Sequence, residues 1–247
     1  MGDCKNRLLL LIGSGPGLGR AVASHYAQQH FNRVALIARN VEQLAKDRVA
    51  VEKAATSVGR KVVVQTWQVD VCDIKRLEDA LKEINQFGSL ECVYYNAARV
   101  GVSPLFTATT ETIETDWRVA NLALYVTARW AMPILLDKSR SRSLCNWKPS
   151  FLVTSSVLPV EPIPELFSLS MAKAAQANMV KSLQKTYSCL GIHVGLVVVG
   201  GAMSDDKLLS PTVVAEQAWL LFAQKPGSWT TQVTIREDRS VYWSETI

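Results

Sequence analysis

Between residues 12 and 20 the chain reads Ile12-Gly13-Ser14-Gly15-Pro16-Gly17-Leu18-Gly19-Arg20. This glycine-rich stretch directly follows an apolar run, Arg7–Ile12, and opens an amphipathic segment, Gly17–Gln29. Glycines permit a tight turn and let the backbone approach a pyrophosphate, and the free N–H groups and dipole of a helix start favour negative charge. Because the stretch stands between a strand and a helix, it predicts a dinucleotide-binding turn rather than a purely structural one. Its candidate coenzyme-binding residues are Gly13, Ser14, Gly17, Leu18 and Gly19.

The rest of the chain repeats this alternation of strand and helix. Runs that are apolar on both faces, as in parallel strands covered by helices, lie at Arg7–Ile12, Arg33–Ala38, Lys61–Gln68, Leu90–Tyr95, Phe151–Ser155, Ile192–Val199 and Thr230–Ile235. Helical patterns lie at Gly17–Gln29, Val41–Val58, Ile74–Phe87, Thr112–Leu136, Phe167–Leu190 and Thr212–Ala223. Such units require right-handed crossovers. We therefore expect a Rossmann-type α/β fold, a doubly wound, mostly parallel seven-stranded sheet with helices on both faces, as one domain over residues 1–247.

Composition narrows the class of protein. The chain of 247 residues is 48% hydrophobic and 20% charged, which excludes a disordered chain and is typical of one globular domain. Its net charge of +5 comes without a long run of one sign, so no nucleic-acid partner is predicted. The densest basic stretch, Lys138–Arg142, is interpreted as a solvated loop. No apolar run approaches the roughly eighteen residues of a membrane span, so no membrane partner is predicted.

The number and spacing of the cysteines indicate the redox state of the cellular compartment. The cysteines are odd in number and spread without a C-x-x-C pair, at Cys4, Cys72, Cys92, Cys145 and Cys189. This distribution favours reduced thiols and argues against both a disulfide framework and a zinc site. We expect a cytoplasmic protein with no bound metal.

The end of the second predicted strand bears on which coenzyme is bound. An acidic residue there would accept hydrogen bonds from a ribose 2′-hydroxyl and indicate NAD. The strand instead ends Ile37-Ala38-Arg39-Asn40. Because a guanidinium pairs well with a 2′-phosphate, Arg39 favours NADP(H). The alternative for Arg39 is a surface charge that flanks the helix.

At this point the chain resembles the short-chain dehydrogenase/reductase family over nearly its whole length. Gly13, Gly17 and Gly19 have the spacing of the T-G-x-x-x-G-x-G motif, with Ile12 where Thr is usual. The other matching segments, in chain order, are Asp70-Val71 after the third strand, Tyr95-Asn96-Ala97-Ala98 after the fourth, Asn121 in the long central helix, Thr154-Ser155-Ser156 at the end of the fifth strand, Lys173 at the lysine of Y-x-x-x-K, and Val199-Gly200 where Pro-Gly is usual.

The resemblance implies a role for each of these positions. Asp70 and Val71 would contact adenine; Asn96, Ala97, Lys173 and Gly200 would hold the coenzyme; Ser156 would orient the substrate. Asn121 would have either a water-linked catalytic role or a purely structural one on helix backbone. A strand-end hydroxyl is the alternative for Ser156, and a helix-surface ammonium is the alternative for Lys173.

One residue departs from the family pattern. In the family a tyrosine four residues before the lysine is the general acid or base, but here that position is Leu169, thirteen residues after Ser156. Leucine cannot transfer a proton, and a positioned general acid contributes about 10²–10⁴-fold to rate. An iminium acceptor needs no proton, so loss of the tyrosine would cost little there. We expect either such an activated substrate or another proton donor.

The Pro-rich stretch before Leu169 offers two candidate carboxylates. Glu161 and Glu165 lie in Leu158–Glu165, a segment that borders the substrate pocket in the family. A partly buried carboxylate there would donate a proton or pair with a cationic substrate. The alternative for Glu165 is to stabilise the N-terminus of the helix that follows.

These observations predict an NADP(H)-dependent oxidoreductase with a non-standard active site that acts on a small hydrophobic carbonyl or an imine-like acceptor. A non-redox catalyst (cyclase, isomerase or lyase) and a catalytically dead NADP(H)-binding protein are the alternatives. The short segment Gly201–Ser210 predicts an open pocket, or one closed by the tail or a second subunit. The Ala-rich helix Met171–Ala177 and the family resemblance favour a homodimer or homotetramer.

Overall fold

The computed structural model describes residues 6–141, 145–204, 209–238 and 240–244. Its strands are β1 (Arg7–Ile12), β2 (Arg33–Ala38), β3 (Val63–Gln68), β4 (Ser89–Tyr95), β5 (Ser150–Ser156), β6 (His193–Gly200), β7 (Gln232–Arg236) and β8 (Val241–Trp243). Its helices are α1 (Leu18–Gln29), α2 (Val41–Ser57), α3 (Ile74–Ile84), α4 (Thr110–Trp117), α5 (Ala123–Arg140), α6 (Phe167–Tyr187) and α7 (Pro211–Ala223).

The strands form one sheet in the order β3-β2-β1-β4-β5-β6-β7-β8. All neighbours pair in parallel except β7 and β8, which are antiparallel. The predicted Rossmann-type fold is confirmed, but the sheet has eight strands instead of seven. The extra strand, Val241–Trp243, has three residues, none of them buried, so it lacks the apolar run by which strands are recognised in sequence.

Strand β1 lies at the centre of two core layers. Leu8 to Ile12 are all fully buried. Leu9 and Leu11 pack on one face with residues of α1, α2 and α7, and the alternate side chains pack on the other face with residues of α3, α5 and α6. Side chains alternate across a strand, and burying each leucine contributes roughly 1.5–3 kcal/mol. The apolar run of β1 therefore requires helices on both faces.

The order of the strands positions a crevice. From β1 the sheet continues towards β2 on one side and towards β4 on the other. In such sheets the connections diverge to opposite faces, and ligands bind outside the carboxyl ends of the strands at this point. The glycine-rich turn after Ile12 lies there, next to the residues that follow Ala38 and Tyr95.

The long helix predicted over Thr112–Leu136 is interrupted. Residues Arg118–Leu122 form a π-helical turn between α4 and α5. By length and composition alone, Thr110–Arg140 would be able to cross a membrane, contrary to the expectation from the sequence, but 61% of its most apolar stretch is buried within the protein. Packing in the core accounts for the hydropathy of this segment.

The expectation that the cysteines are reduced is wrong at Cys145. Cys72, Cys92 and Cys189 are free, whereas Cys145 is disulfide-bonded. Sequence spacing alone did not indicate this, because a disulfide depends on which segments the fold brings together.

Candidate functional site

A cleft of about 300 Å³ lies at the carboxyl ends of β1, β2 and β4. Seven of the predicted coenzyme-binding residues line it: Gly13, Ser14, Arg39, Asp70, Val71, Asn96 and Ala97. A larger cavity of about 860 Å³ opens beside Asn6, Arg33 and Ser89, at the amino ends of the strands. Because parallel α/β sheets bind ligands at the carboxyl ends, the smaller cleft is the candidate site.

Two glycines of the turn allow close packing of backbone. Gly13 has a positive φ of 92°, and a Cβ there would lie 2.5 Å from the amide nitrogen of Ala97. A Cβ at Gly19 would lie 2.5 Å from the carbonyl oxygen of Gly13. A side chain at either position would therefore force strand, turn and helix apart.

The other two glycines leave space for a ligand. A Cβ at Gly15 or Gly17 would meet nothing within 4 Å. Gly17 is the N-cap of α1 and provides no side-chain hydrogen bond to the first turn. The first N–H groups of a helix have no intrahelical acceptor, and those of Leu18 and Gly19 are in this position. Both residues are buried, and of this turn only residues 13–16 are among the described residues that line the cleft.

Asn96 holds the turn against the neighbouring strands. Its Nδ2 donates to the carbonyl oxygen of Gly13 at 2.9 Å, and its Oδ1 accepts from Thr154 Oγ1 at 2.8 Å. Its own backbone N–H donates to Ile12 at 2.8 Å. The side-chain amide therefore fixes the backbone on which a diphosphate would rest.

The far end of the cleft is formed by the residues after β2 and β3. Arg39 is exposed there. Asn40 caps α2 by accepting from the backbone N–H of Gln43 at 2.9 Å. Asp70 is exposed and accepts from the backbone N–H of Cys72 at 2.9 Å, and Val71 is buried at 7% exposure. This end thus combines the exposed guanidinium of Arg39 with the exposed carboxylate of Asp70 and the buried side chain of Val71.

Further residues of the cleft were not identified from the sequence. They include Gln43 of α2 and Arg99, which follows the Asn96-Ala97-Ala98 segment. Arg99 makes a two-point ion pair with buried Asp116, at 2.6 and 3.0 Å, and Ser168 Oγ donates to the same carboxylate at 2.6 Å. The position of Arg99 directly after a family motif was a usable signal, whereas its pairing with Asp116 depends on the fold.

The predicted catalytic residues lie around β5 and the start of α6. None of them is among the described residues that line the cleft at the carboxyl ends of β1, β2 and β4. Ser156 lines a separate groove of about 180 Å³ and its Oγ accepts from the backbone N–H of Leu158 at 3.3 Å. Asn121 lies in the π-helical turn and donates from Nδ2 to the carbonyl oxygen of Ala172 at 3.1 Å.

Lys173 is buried, at 5% exposure, and its Nζ already has protein acceptors. It donates to the carbonyl oxygen of Thr154 at 2.9 Å and to Gln176 Oε1 at 2.8 Å. Burial lowers the pKa of the Lys173 amine to about 8, because the charged form is poorly solvated. The surface role considered for Lys173 is therefore wrong, while the ribose-binding role remains a prediction.

The two candidate carboxylates are both exposed. Glu165 contributes a backbone carbonyl that accepts from Ser103 at 2.8 Å. Glu161 lies 3.6 Å from Arg236 Nη2 at the rim of the groove that Ser156 lines. Gly200 ends β6, where a Cβ would lie 3.1 Å from the carbonyl oxygen of Ile235. The predicted lid, Gly201–Ser210, falls partly outside the described residues.

Comparison with known proteins agrees with this architecture. A model of the short chain dehydrogenase family matches residues 7–207. The uncharacterized oxidoreductase YghA of Escherichia coli (strain K12) is 28% identical, over 84% of this chain and 69% of its own length.

Solved structures show the same fold. A metagenomic short-chain oxidoreductase in complex with NADP has a TM-score of 0.76 at 20% identity, covering 94% of this chain and 97% of that one. An NADH-dependent reductase, A1-R′, complexed with NAD, has a TM-score of 0.78 at 16% identity, covering 96% of this chain and 98% of that one. Since the family model spans most of its length, this chain belongs to the short-chain dehydrogenase family of oxidoreductases.

Proposed function

We propose that this protein is an NADP(H)-dependent oxidoreductase that acts on a small hydrophobic carbonyl or an activated, imine-like acceptor. The observation that carries the proposal is the cleft that joins an open helix start to an unburied arginine. Gly15 and Gly17 leave room beside the first turn of α1, and Arg39 lines the other end. No acidic residue directly follows β2, where Arg39 and Asn40 stand.

The residues present fit a pyridine dinucleotide. The N–H groups of Leu18 and Gly19 would bind its diphosphate, Val71 would contact adenine, and Arg39 would pair with a 2′-phosphate. When bound, the coenzyme supplies or accepts a hydride. Of the two similar solved structures, one is in complex with NADP and the other with NAD, so Arg39 is the basis for choosing NADP(H).

The acceptor class follows from Leu169. This side chain is buried, at 4% exposure, at the position where the family has its proton donor. Proximity between bound reactants can supply ~7–11 kcal/mol of barrier lowering without any acid. Because an iminium carbon is reduced without protonation, it suits such a site better than a neutral ketone. Glu161 and Glu165 are both exposed, so neither carboxylate has the buried position that would favour it as a proton donor.

A coenzyme-binding protein without turnover is the second candidate. One observation favours it: Ser156 and Lys173 make hydrogen bonds to their own protein, and neither is among the described residues that line the coenzyme cleft. In that case the coenzyme would bind and remain unreacted.

The test is a coenzyme titration followed by an assay of turnover. We expect fluorescence titration to show tighter binding of NADPH than NADH, and Arg39→Gln to weaken NADPH binding about tenfold, the size of one lost charge-assisted contact. We expect nicotinamide absorbance to report faster reduction of cyclic imines than of ketones. Binding of neither coenzyme would overturn the proposal. Tight NADPH binding without oxidation by any acceptor would support the second candidate instead.

A further inference from the structure

The carboxylate of Asp47 is buried next to the end of the cleft that Arg39 and Asn40 line. Asp47 lies on the inner face of α2, whose other buried residues are Leu44, Val51 and Ala55. Its exposure is 0%, as for the apolar side chains around it. A charged group is costly to bury without partners, so the contacts of Asp47 explain why it is there.

Three donors surround this carboxylate. Ser14 Oγ donates to Oδ2 at 2.7 Å. Arg20 Nε and Gln43 Nε2 donate to Oδ1 at 2.8 and 2.6 Å. An ionised carboxylate only accepts hydrogen bonds, and all three contacts suit the charged form. The guanidinium of Arg20, which is 32% exposed, balances the charge.

Two of these donors are also residues of the cleft. Ser14 and Gln43 line it together with Arg39 and Asn40. Ser14 has one O–H, and that bond points to Asp47, so the serine offers the cleft only oxygen lone pairs. One of the two N–H groups of the Gln43 amide donates to Asp47, which fixes the orientation of the amide and leaves Oε1, an acceptor, at its other end. Asp47 therefore gives this part of the wall an accepting character.

We propose that Asp47 is a positioning residue that determines coenzyme specificity by holding the Ser14 hydroxyl as an acceptor and by fixing the orientation of the Gln43 amide. This inference rests on the proposed binding of a pyridine dinucleotide. An accepting wall is complementary to a ribose 2′-hydroxyl, which donates, and opposes a 2′-phosphate, which carries only negative oxygens. Asp47 therefore reduces the preference for NADP(H) over NAD(H) that Arg39 provides, so that NAD(H) also binds at the same cleft.

The experiment measures both coenzymes on the full chain. Asp47→Asn keeps the size of the side chain but removes its charge. Because Arg20 and Gln43 both donate to Oδ1, the amide oxygen takes that place, and the amide nitrogen replaces Oδ2 and donates to Ser14 Oγ, which leaves the Ser14 O–H to donate to phosphate. We expect the ratio of NADPH affinity to NADH affinity, measured by calorimetry, to rise about tenfold, the size of one added charge-assisted hydrogen bond. Glu42→Gln is the matched control: it removes an exposed charge from the first turn of the same helix and should leave the ratio unchanged.

The outcomes separate this inference from the proposed function. An unchanged or lower ratio in Asp47→Asn, with both coenzymes still bound, overturns the inference alone, because a purely structural role would weaken both affinities equally. Binding of neither coenzyme by the unmodified protein overturns the proposed function and the inference with it. If Asp47→Asn does not fold, the inference is tested with Gln43→Met, a substitution at a half-buried position. We expect that variant to lose NADH affinity selectively, and equal losses for the two coenzymes would overturn the inference.

Discussion

At the scale of single residues, Leu169 is the residue on which the proposed acceptor class depends, and it is buried at 4% exposure. The serines on either side of it already have hydrogen-bond partners. Ser168 donates to Asp116, and Ser170 Oγ accepts from the backbone N–H of Ile163 at 3.3 Å. Leu169 itself shares a helix face with Lys173, one turn further along α6. A proton donor restored at position 169 would therefore lie next to the buried amine.

We expect Leu169→Tyr to raise the rate of ketone reduction by at least about tenfold, towards the lower limit of what a positioned general acid contributes. The phenol would supply the proton that a ketone needs and an iminium does not. Steady-state kinetics with one ketone and one cyclic imine would measure the effect. Leu169→Phe is the control, because it adds the ring without the hydroxyl. Equal rates for the Tyr and Phe variants would show that the pocket has diverged by more than this residue.

At the scale of elements, the buried histidine at the start of β6 makes the stability of the fold depend on pH. His193 is 1% exposed, its ring stacks on Trp229 at 5.0 Å, and Nε2 contacts the carbonyl oxygen of Thr230 at 3.1 Å. Burial lowers the pKa of His193 to about 4 from an ordinary value of 6.5. The neutral ring thus stabilises the fold fully above pH 6.5, and that contribution is lost as pH falls towards 4.

We expect the native chain to lose stability between about pH 7.5 and about pH 4.5. Over this range its free energy of unfolding should fall by up to about 3 kcal/mol more than that of His193→Gln. The variant lacks the group that must be protonated, while carboxylates such as Glu91 contribute equally to both proteins. Urea unfolding followed by circular dichroism at each pH would measure the difference. An identical loss of unfolding free energy in the two proteins would contradict the lowered pKa of His193.

At the scale of the whole molecule, one outer face of α6 is built from small and apolar residues. Met171 and Ala174 are exposed and Ala175 is half-buried. Small side chains let two helices approach closely. We propose that this face joins two copies of the chain in a homodimer. A homotetramer would form from two such dimers.

We expect sedimentation equilibrium to give the mass of a dimer or tetramer, and Ala174→Glu to lower it, because a carboxylate on this face would be buried in the contact without a partner. Val49→Glu, at an exposed position of α2, is the control and should leave the mass unchanged. A monomeric native protein at concentrations of about 10 µM would exclude the contact, since stable dimers associate below that range.

Much of the architecture was predictable because its signals are local. The apolar runs of β1 and β2 give the observed boundaries, Arg7–Ile12 and Arg33–Ala38, and the glycine-rich turn lies between them as expected. Periodicity and turn chemistry act over a few residues, so the sequence by itself determined the fold class and the position of the glycine-rich turn between β1 and α1.

Only the tertiary structure decided which polar groups satisfy one another. Asp47 lies in a helix with several charged residues, and its partner Ser14 is 33 residues away. Arg99 pairs with Asp116, and Lys173 donates to a carbonyl of β5 rather than towards solvent. The antiparallel strand Val241–Trp243 is likewise formed by pairing with β7. Hydrogen-bond partners distant in sequence are chosen by packing, because a buried polar group must be satisfied by whatever the fold brings within reach.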